Sequence, residues 1–156
     1  MGSSYINTNI HIIFHTKATT CVMEEDDLPR IFHYLGGIIR SLSGYAYMIG
    51  GRPDHIHILS SLPPTTSLSD YVRKIKSNSS KWIKGLRDGY KEFAWQEGYA
   101  AFSVSESNKQ TVANYIAHQK EHHAERSVHD EYLIFLEKNG FFPDPVTGEI
   151  KKRDMD

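Results

Sequence analysis

Residues 45–61 read YAYMIGGRPDHIHILSS, and this stretch decides the fold. Tyr45 to Ile49 reads as a strand, Gly50-Gly51-Arg52-Pro53-Asp54 as a tight connection, and His55 to Ser61 as a second strand. Together they predict a β-hairpin. Upstream, Leu28, Ile31, Phe32, Leu35, Ile38, Ile39 and Leu42 recur at helical spacing. Asp27 is placed to cap that helix, Pro29 lies in its first turn and Gly44 ends the run. Before it, Ile6 to Thr16 is rich in β-branched and apolar residues and reads as a strand.

Downstream, Pro63-Pro64 breaks the chain. From about Ser67 a second helix carries Leu68, Tyr71, Val72, Ile75, Trp82, Ile83 and Leu86 on one face. Tyr99 to Val104 reads as a last strand. Ser107 to Gln110 matches a capping box, which opens a third helix through about His122. A short helix from Val128 to Asn139 stops at Gly140. The order strand, helix, strand, strand, helix, strand, helix predicts an α+β fold of the ferredoxin-like split β-α-β kind. Its antiparallel sheet is expected to carry helices on one face. One domain is expected over residues 1–142, with residues 143–156 as a flexible polar tail. That architecture hosts many functions and does not by itself choose one.

The chain has 156 residues, a net charge of −1 and one cysteine, Cys21. A single cysteine excludes an internal disulfide and a cysteine-rich zinc site. No apolar run approaches the roughly 20 residues of a membrane helix. The first residues lack the pattern of a signal peptide, so a cytoplasmic protein without membrane attachment is expected. A near-neutral net charge counts mildly against a protein held on duplex DNA by charge alone. The charge is uneven, however, with seven Lys and Arg between Arg73 and Lys91 against only Asp88. That basic stretch is either a solvated helix face or a surface for nucleic acid.

Side chains alternate faces along a strand, so His55 and His57 point the same way while Ile56 and Ile58 point into a core. Two neighbouring neutral imidazoles make a pair of metal ligands, although two histidines on a half-exposed strand are also common. On the third helix Tyr115 and Gln119 are four residues apart and share a face. A phenol can serve as a nucleophile and an amide oxygen as a hard metal ligand. Equally, Tyr115 could be a core aromatic and Gln119 solvated.

Taken together, the two motifs resemble the single-tyrosine HUH transposases of the smallest bacterial insertion sequences. Ile13-Phe14-His15-Thr16-Lys17 resembles that family's first strand, and Arg52-Pro53-Asp54-His55-Ile56-His57 its metal strand. Ser69 to Lys76 and Ser79 to Trp82 are similar to its basic helix, and Trp95 to Ser105 to the segment before its tyrosine helix. The resemblance implies His55, His57 and Gln119 as ligands of a divalent metal, Mg²⁺ or Mn²⁺, and Tyr115 as the nucleophile. It implies cutting and rejoining of single-stranded or hairpin DNA through a 5′-phosphotyrosine by a homodimer, with no nucleotide cofactor. Arg73, Lys76, Lys81 and Lys84 are the candidates for DNA-backbone contacts.

The chemistry asks for such groups. Breaking a phosphodiester requires neutralising charge on the transition state, and neutral ligands leave a cation's charge undiminished. A phenol ionises near pH ~10 in water and needs activation by a metal or base. The covalent ester conserves the bond energy, so rejoining needs no ATP, and the sequence has no Gly-rich phosphate loop ending in Lys-Ser or Lys-Thr. The main alternative is a domesticated descendant that binds DNA hairpins without cutting. A two-histidine phosphoesterase fits less well, because neither His55 nor His57 opens a His-x-Ser/Thr motif. An RNA-binding module would need exposed aromatics where the histidines stand.

Overall fold

The hydrophobic alternation of the first strand sets the sheet. In a computed structural model that describes residues 2–17, 21–123 and 126–152, β1 (Asn9–His15) sits at the centre. It pairs antiparallel with β3 (His55–Ser61) on one side and β4 (Ala100–Val104) on the other. The hairpin predicted from residues 45–61 is present, with β2 (Ala46–Arg52) on the outer side of β3. The sheet order β2-β3-β1-β4 is that of the split β-α-β pattern.

Ile10, Ile12 and Phe14 of β1 face the same way as Ile56 and Ile58 of β3, across registers that pair Ile12 with Ile58 and Phe14 with Ile56. The helices α1 (Leu28–Ser41) and α2 (Leu68–Lys84) cover this face. Leu28, Ile31, Leu35 and Ile39 come from α1 and Tyr71, Val72, Ile75 and Ile83 from α2, all buried in one cluster with the isoleucines. These are the positions that helical spacing predicted. Ser67 caps α2 by accepting a hydrogen bond from the Asp70 N–H at 3.2 Å.

A further helix, α3 (Lys109–Ala117), lies on the opposite face. Its Ala113 and Ile116 pack with Leu59 of β3 and Val104 of β4. The expected single layer of helices is thus α1 and α2, and α3 adds a partial second layer.

Local details depart from the sequence reading for definable reasons. Asp27 makes no capping bond. Its carboxylate instead accepts from Arg87 Nε at 2.5 Å and Nη2 at 2.8 Å, and from the Tyr90 hydroxyl at 2.5 Å. The Arg87 guanidinium holds the Asp27 carboxyl below its ordinary value, against the opposing effect of burial. Burial, with the bond to Asp27, pushes the Tyr90 phenol up to about 12. A carboxyl whose folded pKa is depressed contributes stability above its unfolded pKa and loses that contribution as pH falls through the folded one. Asp27→Asn is therefore expected to be less stable than the parent at pH 7, and urea unfolding should show the gap closing as pH falls below 3.8, the ordinary value.

Gly44 does not supply the left-handed turn after α1; Ser43 does, with φ 66°. Gly44 is required by proximity, since a Cβ there would lie 2.1 Å from the buried Tyr71 hydroxyl oxygen. The capping box read at Ser107–Gln110 is replaced by a 3-10 turn over Glu106–Asn108, and α3 begins at Lys109 without a side-chain cap.

The chain divides into two compact units, Met1–Lys120 and Glu121–Asp156. The division expected at residue 142 followed the change to polar composition there. In the second unit, α5 (Val128–Lys138) is capped by Ser127, whose hydroxyl accepts from the Asp130 N–H at 3.1 Å. Part of the segment read as a tail forms an antiparallel ladder of β5 (Phe141–Pro143) with β6 (Ile150–Lys152); residues 153–156 lie outside the described residues. Among the described residues no helix is long and apolar enough to cross a membrane.

Candidate metal and nucleophile site

Strand alternation puts His11, Ile13 and His15 of β1 and His55 and His57 of β3 on the face opposite the α1–α2 core. His55 and His57 are fully buried rather than half exposed. Their rings lie 5.1 Å apart between centroids, with an interplanar angle of 78°. They offer ring nitrogens within 4.8 Å of each other. The first unit of the fold therefore builds an imidazole pair out of two residues of one strand.

The Tyr115–Gln119 pair reaches this face through α3, by a route the sequence did not show. The third helix is not continuous to His122. It ends at Ala117, and a five-residue helix, α4 (Gln119–His123), starts afresh. The cause is His118. Its ring Nδ1 bonds the Asn114 carbonyl at 2.6 Å, the acceptor that its own backbone N–H would take in an α-helix. The N–H turns instead to the Tyr115 carbonyl at 3.2 Å. A side chain competing for a backbone acceptor ends the helix there.

Beyond the break Gln119 is buried, and its Oε1 lies 2.9 Å from His55 Nε2. The half-buried Tyr115 ring stands against His57 at 6.0 Å and 70°. The helix can come this close because β2 has a glycine beneath it. A Cβ on Gly50 would lie 2.4 Å from the Ile116 carbonyl oxygen.

Two imidazoles and a carboxamide form a neutral donor set that can hold a divalent cation. Two ligands each ~2.1 Å from one ion and at right angles stand ~3 Å apart, the spacing of His55 Nε2 and Gln119 Oε1. The second nitrogen of each histidine is held. His55 Nδ1 bonds Asp54 Oδ1 at 2.8 Å, and His57 Nδ1 bonds His11 Nε2 at 2.8 Å. A carboxylate can only accept, so His55 carries a hydrogen on Nδ1, and its Nε2 faces the Gln119 amide oxygen.

Two neighbours of the pair escaped the sequence reading as site residues. His11 is one, buried with its ring 5.1 Å from that of His57. Gln96 is the other. Its Oε1 accepts from the His15 backbone N–H at 2.7 Å and from His15 Nδ1 at 2.6 Å. The backbone can only donate, so the shared atom is the amide oxygen and Nδ1 of His15 bears the hydrogen. This fixes His15 with its ring 5.9 Å from that of His55. Alternation on β1 puts His11 in phase with His15, which was the only sequence signal for His11, and Gln96 left none.

The structure brings His55, His57, Tyr115 and Gln119 together. It does not bring Arg73, Lys76, Lys81 and Lys84 to them, since all four lie on α2, in the layer across the sheet. Arg73, Lys81 and Lys84 are exposed. Lys76 is engaged, its Nζ donating to the Gln96 carbonyl at 2.7 Å and the Gly98 carbonyl at 2.6 Å. Burial lowers its pKa, partly countered by the Glu97 charge. Lys76 thus clamps the loop whose Gln96 holds His15. Lys76→Met is accordingly expected to lower the melting temperature. Lys81→Ala and Lys84→Ala, both on exposed side chains, should leave it unchanged.

No curated protein matches the chain. Among solved structures, a candidate transposase from Deinococcus radiodurans R1 is similar at TM-score 0.58 and 21% identity, over 76% of this chain and 96% of that one. A REP-associated tyrosine transposase bound to a REP hairpin is similar at TM-score 0.55 and 16% identity, over 75% of this chain and 72% of that one. Residues 4–119, which contain the whole constellation, match the family described as IS200-like transposases. The chain belongs to that family.

Proposed function

We propose that the protein is a transposase that cuts and rejoins single-stranded DNA through a covalent bond to Tyr115. The observation that carries this reading is the placement of the Tyr115 ring against His57 while Gln119 meets His55, all within one chain. A nucleophile beside a buried ligand set is what in-line displacement at a phosphodiester needs.

In the proposed step the Tyr115 oxygen bonds to phosphorus as the bond from phosphorus to the 3′ oxygen breaks. The phenol loses its proton and the 3′ oxygen gains one. The products are a 5′-phosphotyrosine and a free 3′-hydroxyl. Attack by a 3′-hydroxyl on the phosphotyrosine reverses the sequence and restores the phenol, with no nucleotide consumed. A divalent cation, Mg²⁺ or Mn²⁺, held by His55, His57 and Gln119 would supply positive charge beside the phosphate oxygens. Asp54 orients His55, and Gln96 with Lys76 keeps His15 at the edge of the pair.

One nucleophilic tyrosine per chain makes one cut, so excision by this scheme uses two copies of the protein, and a homodimer is the economical arrangement. The DNA partner we propose is a single strand or hairpin end, since bases in a duplex are not exposed for stacking. A related transposase was solved on a REP hairpin, which supports that choice. Such an enzyme would work in the cytoplasm.

The test incubates the protein with labelled single-stranded element ends and Mg²⁺ or Mn²⁺ and resolves the products on a denaturing gel. A metal-dependent protein–DNA adduct, mapped by mass spectrometry of the digested protein to the peptide bearing Tyr115, is the expected result. Tight hairpin binding with no adduct would overturn it in favour of the domesticated binding protein.

A further inference from the structure

The two histidines of the pair are supported differently. His55 has the Asp54 carboxylate, which stands 43% exposed. His57 has another imidazole, His11, which is buried at 2% exposure. The contact joins His11 Nε2 and His57 Nδ1 at 2.8 Å, so one hydrogen lies between two nitrogens. Which nitrogen owns it decides what His57 can do.

If His57 owns the hydrogen, its Nδ1 donates to His11 and its Nε2 carries the lone pair a metal requires. If His11 owns it, His57 accepts through Nδ1 and a neutral His57 carries its hydrogen on Nε2, where no cation can bind. The pair is thus either competent or incompetent as a ligand, according to the tautomer of a residue on a different strand.

We propose that His11 is the positioning residue for metal binding, holding His57 in its Nδ1–H tautomer and aiming Nε2 at the cation. The assignment rests on His55 and His57 being the metal ligands. It gives His11 the part that a carboxylate or a backbone carbonyl ordinarily plays beside a ligating histidine. A neutral acceptor does this without adding negative charge, so the cation's full charge stays available for phosphate oxygens. Burial suits the task too, because water is kept from replacing His11 as the acceptor. The near-parallel rings, 28° apart, and the edge contact of His11 with Phe102 at 71° hold the acceptor nitrogen on target.

The test is made on the full chain with Mn²⁺ as the probe, in the absence of DNA. His11→Gln places an amide oxygen near the position of Nε2 and is expected to bind Mn²⁺ within a few-fold of the parent by isothermal titration calorimetry. His11→Leu keeps an apolar volume and removes the acceptor, and is expected to bind roughly 10–100-fold more weakly. Circular dichroism of both metal-free variants checks that they fold. A direct readout needs no variant: long-range ¹H–¹⁵N correlation spectra of the metal-free parent should assign His57 as the Nδ1–H tautomer.

Unchanged affinity in a folded His11→Leu, or a His57 found in the Nε2–H form, overturns the proposal. His57→Ala separates this from the reading beneath it. If His57→Ala still binds Mn²⁺ normally, the metal site itself is misassigned. If His57→Ala loses binding while His11→Leu keeps it, only the role of His11 fails.

Discussion

Tyr115→Phe is expected to abolish the covalent protein–DNA adduct and to reduce strand cleavage by roughly 10⁴–10⁶-fold, the range for removing a nucleophile whose partners stay in place. The substitution deletes one oxygen. The ring remains, and with it the contact to His57 and the packing of Ala113 and Ile116 against Leu59. A folded protein that still binds a hairpin end is therefore expected. Adduct yield on a denaturing gel, read beside a thermal melt, checks both halves. Residual adduct at the parental level would place the nucleophile elsewhere among the tyrosines.

Gly50→Ala is the second large effect, and it acts at a distance from any reacting atom. The added Cβ would stand 2.4 Å from the Ile116 carbonyl oxygen and 2.9 Å from Ile116 Cγ2. A backbone carbonyl cannot swing aside as a long side chain can, so α3 must lift off β2. Overpacking of this kind costs about 1–3 kcal/mol. The larger loss is functional, because Tyr115 precedes Ile116 on the same helix and Gln119 follows just past its end. A shift of ~1 Å in a positioned group costs about 10²-fold in rate. We expect a folded protein with cleavage down by about that factor and with weakened Mn²⁺ binding. Parental activity would show that the helix has slack over β2.

The sheet and its α1–α2 layer were legible because each strand and helix writes its own periodicity. Leu28, Ile31, Leu35 and Ile39, and Tyr71, Val72, Ile75 and Ile83, are buried where spacing put them. The shared direction of His55 and His57 followed from alternation alone. What stayed hidden depended on register or on competition. His11 meets His57 only through the alignment of β1 with β3, and Gln96 reaches His15 across 81 residues of chain. Neither separation leaves a periodic trace.

Tyr115 and Gln119 were read as one turn apart on a single helix, yet they come together over a break. His118 causes it by taking the Asn114 carbonyl, an option open to any histidine and declared by none. The second face covered by α3 was unreadable for a related reason, since a short helix with two buried residues has little apolar stripe to orient it. The basic run on α2 was visible as charge. That Lys76 clamps a loop, rather than pointing outward, depends on two carbonyls some twenty residues further along.

The division of the sheet into two faces has a consequence for how such a chain can change over time. In β1, residues 10, 12 and 14 serve the buried layer, while 11 and 15 serve the histidine cluster. In β3, 56 and 58 do the first job and 55 and 57 the second. Two messages are interleaved letter by letter in the same few positions. Each can be edited with little interference from the other, provided strand register is kept. A lineage could lose its chemistry by changing every second residue and keep a stable scaffold. It could equally harden its scaffold without touching the reaction. The insertion of a single residue in either strand, by contrast, would exchange the two messages at a stroke.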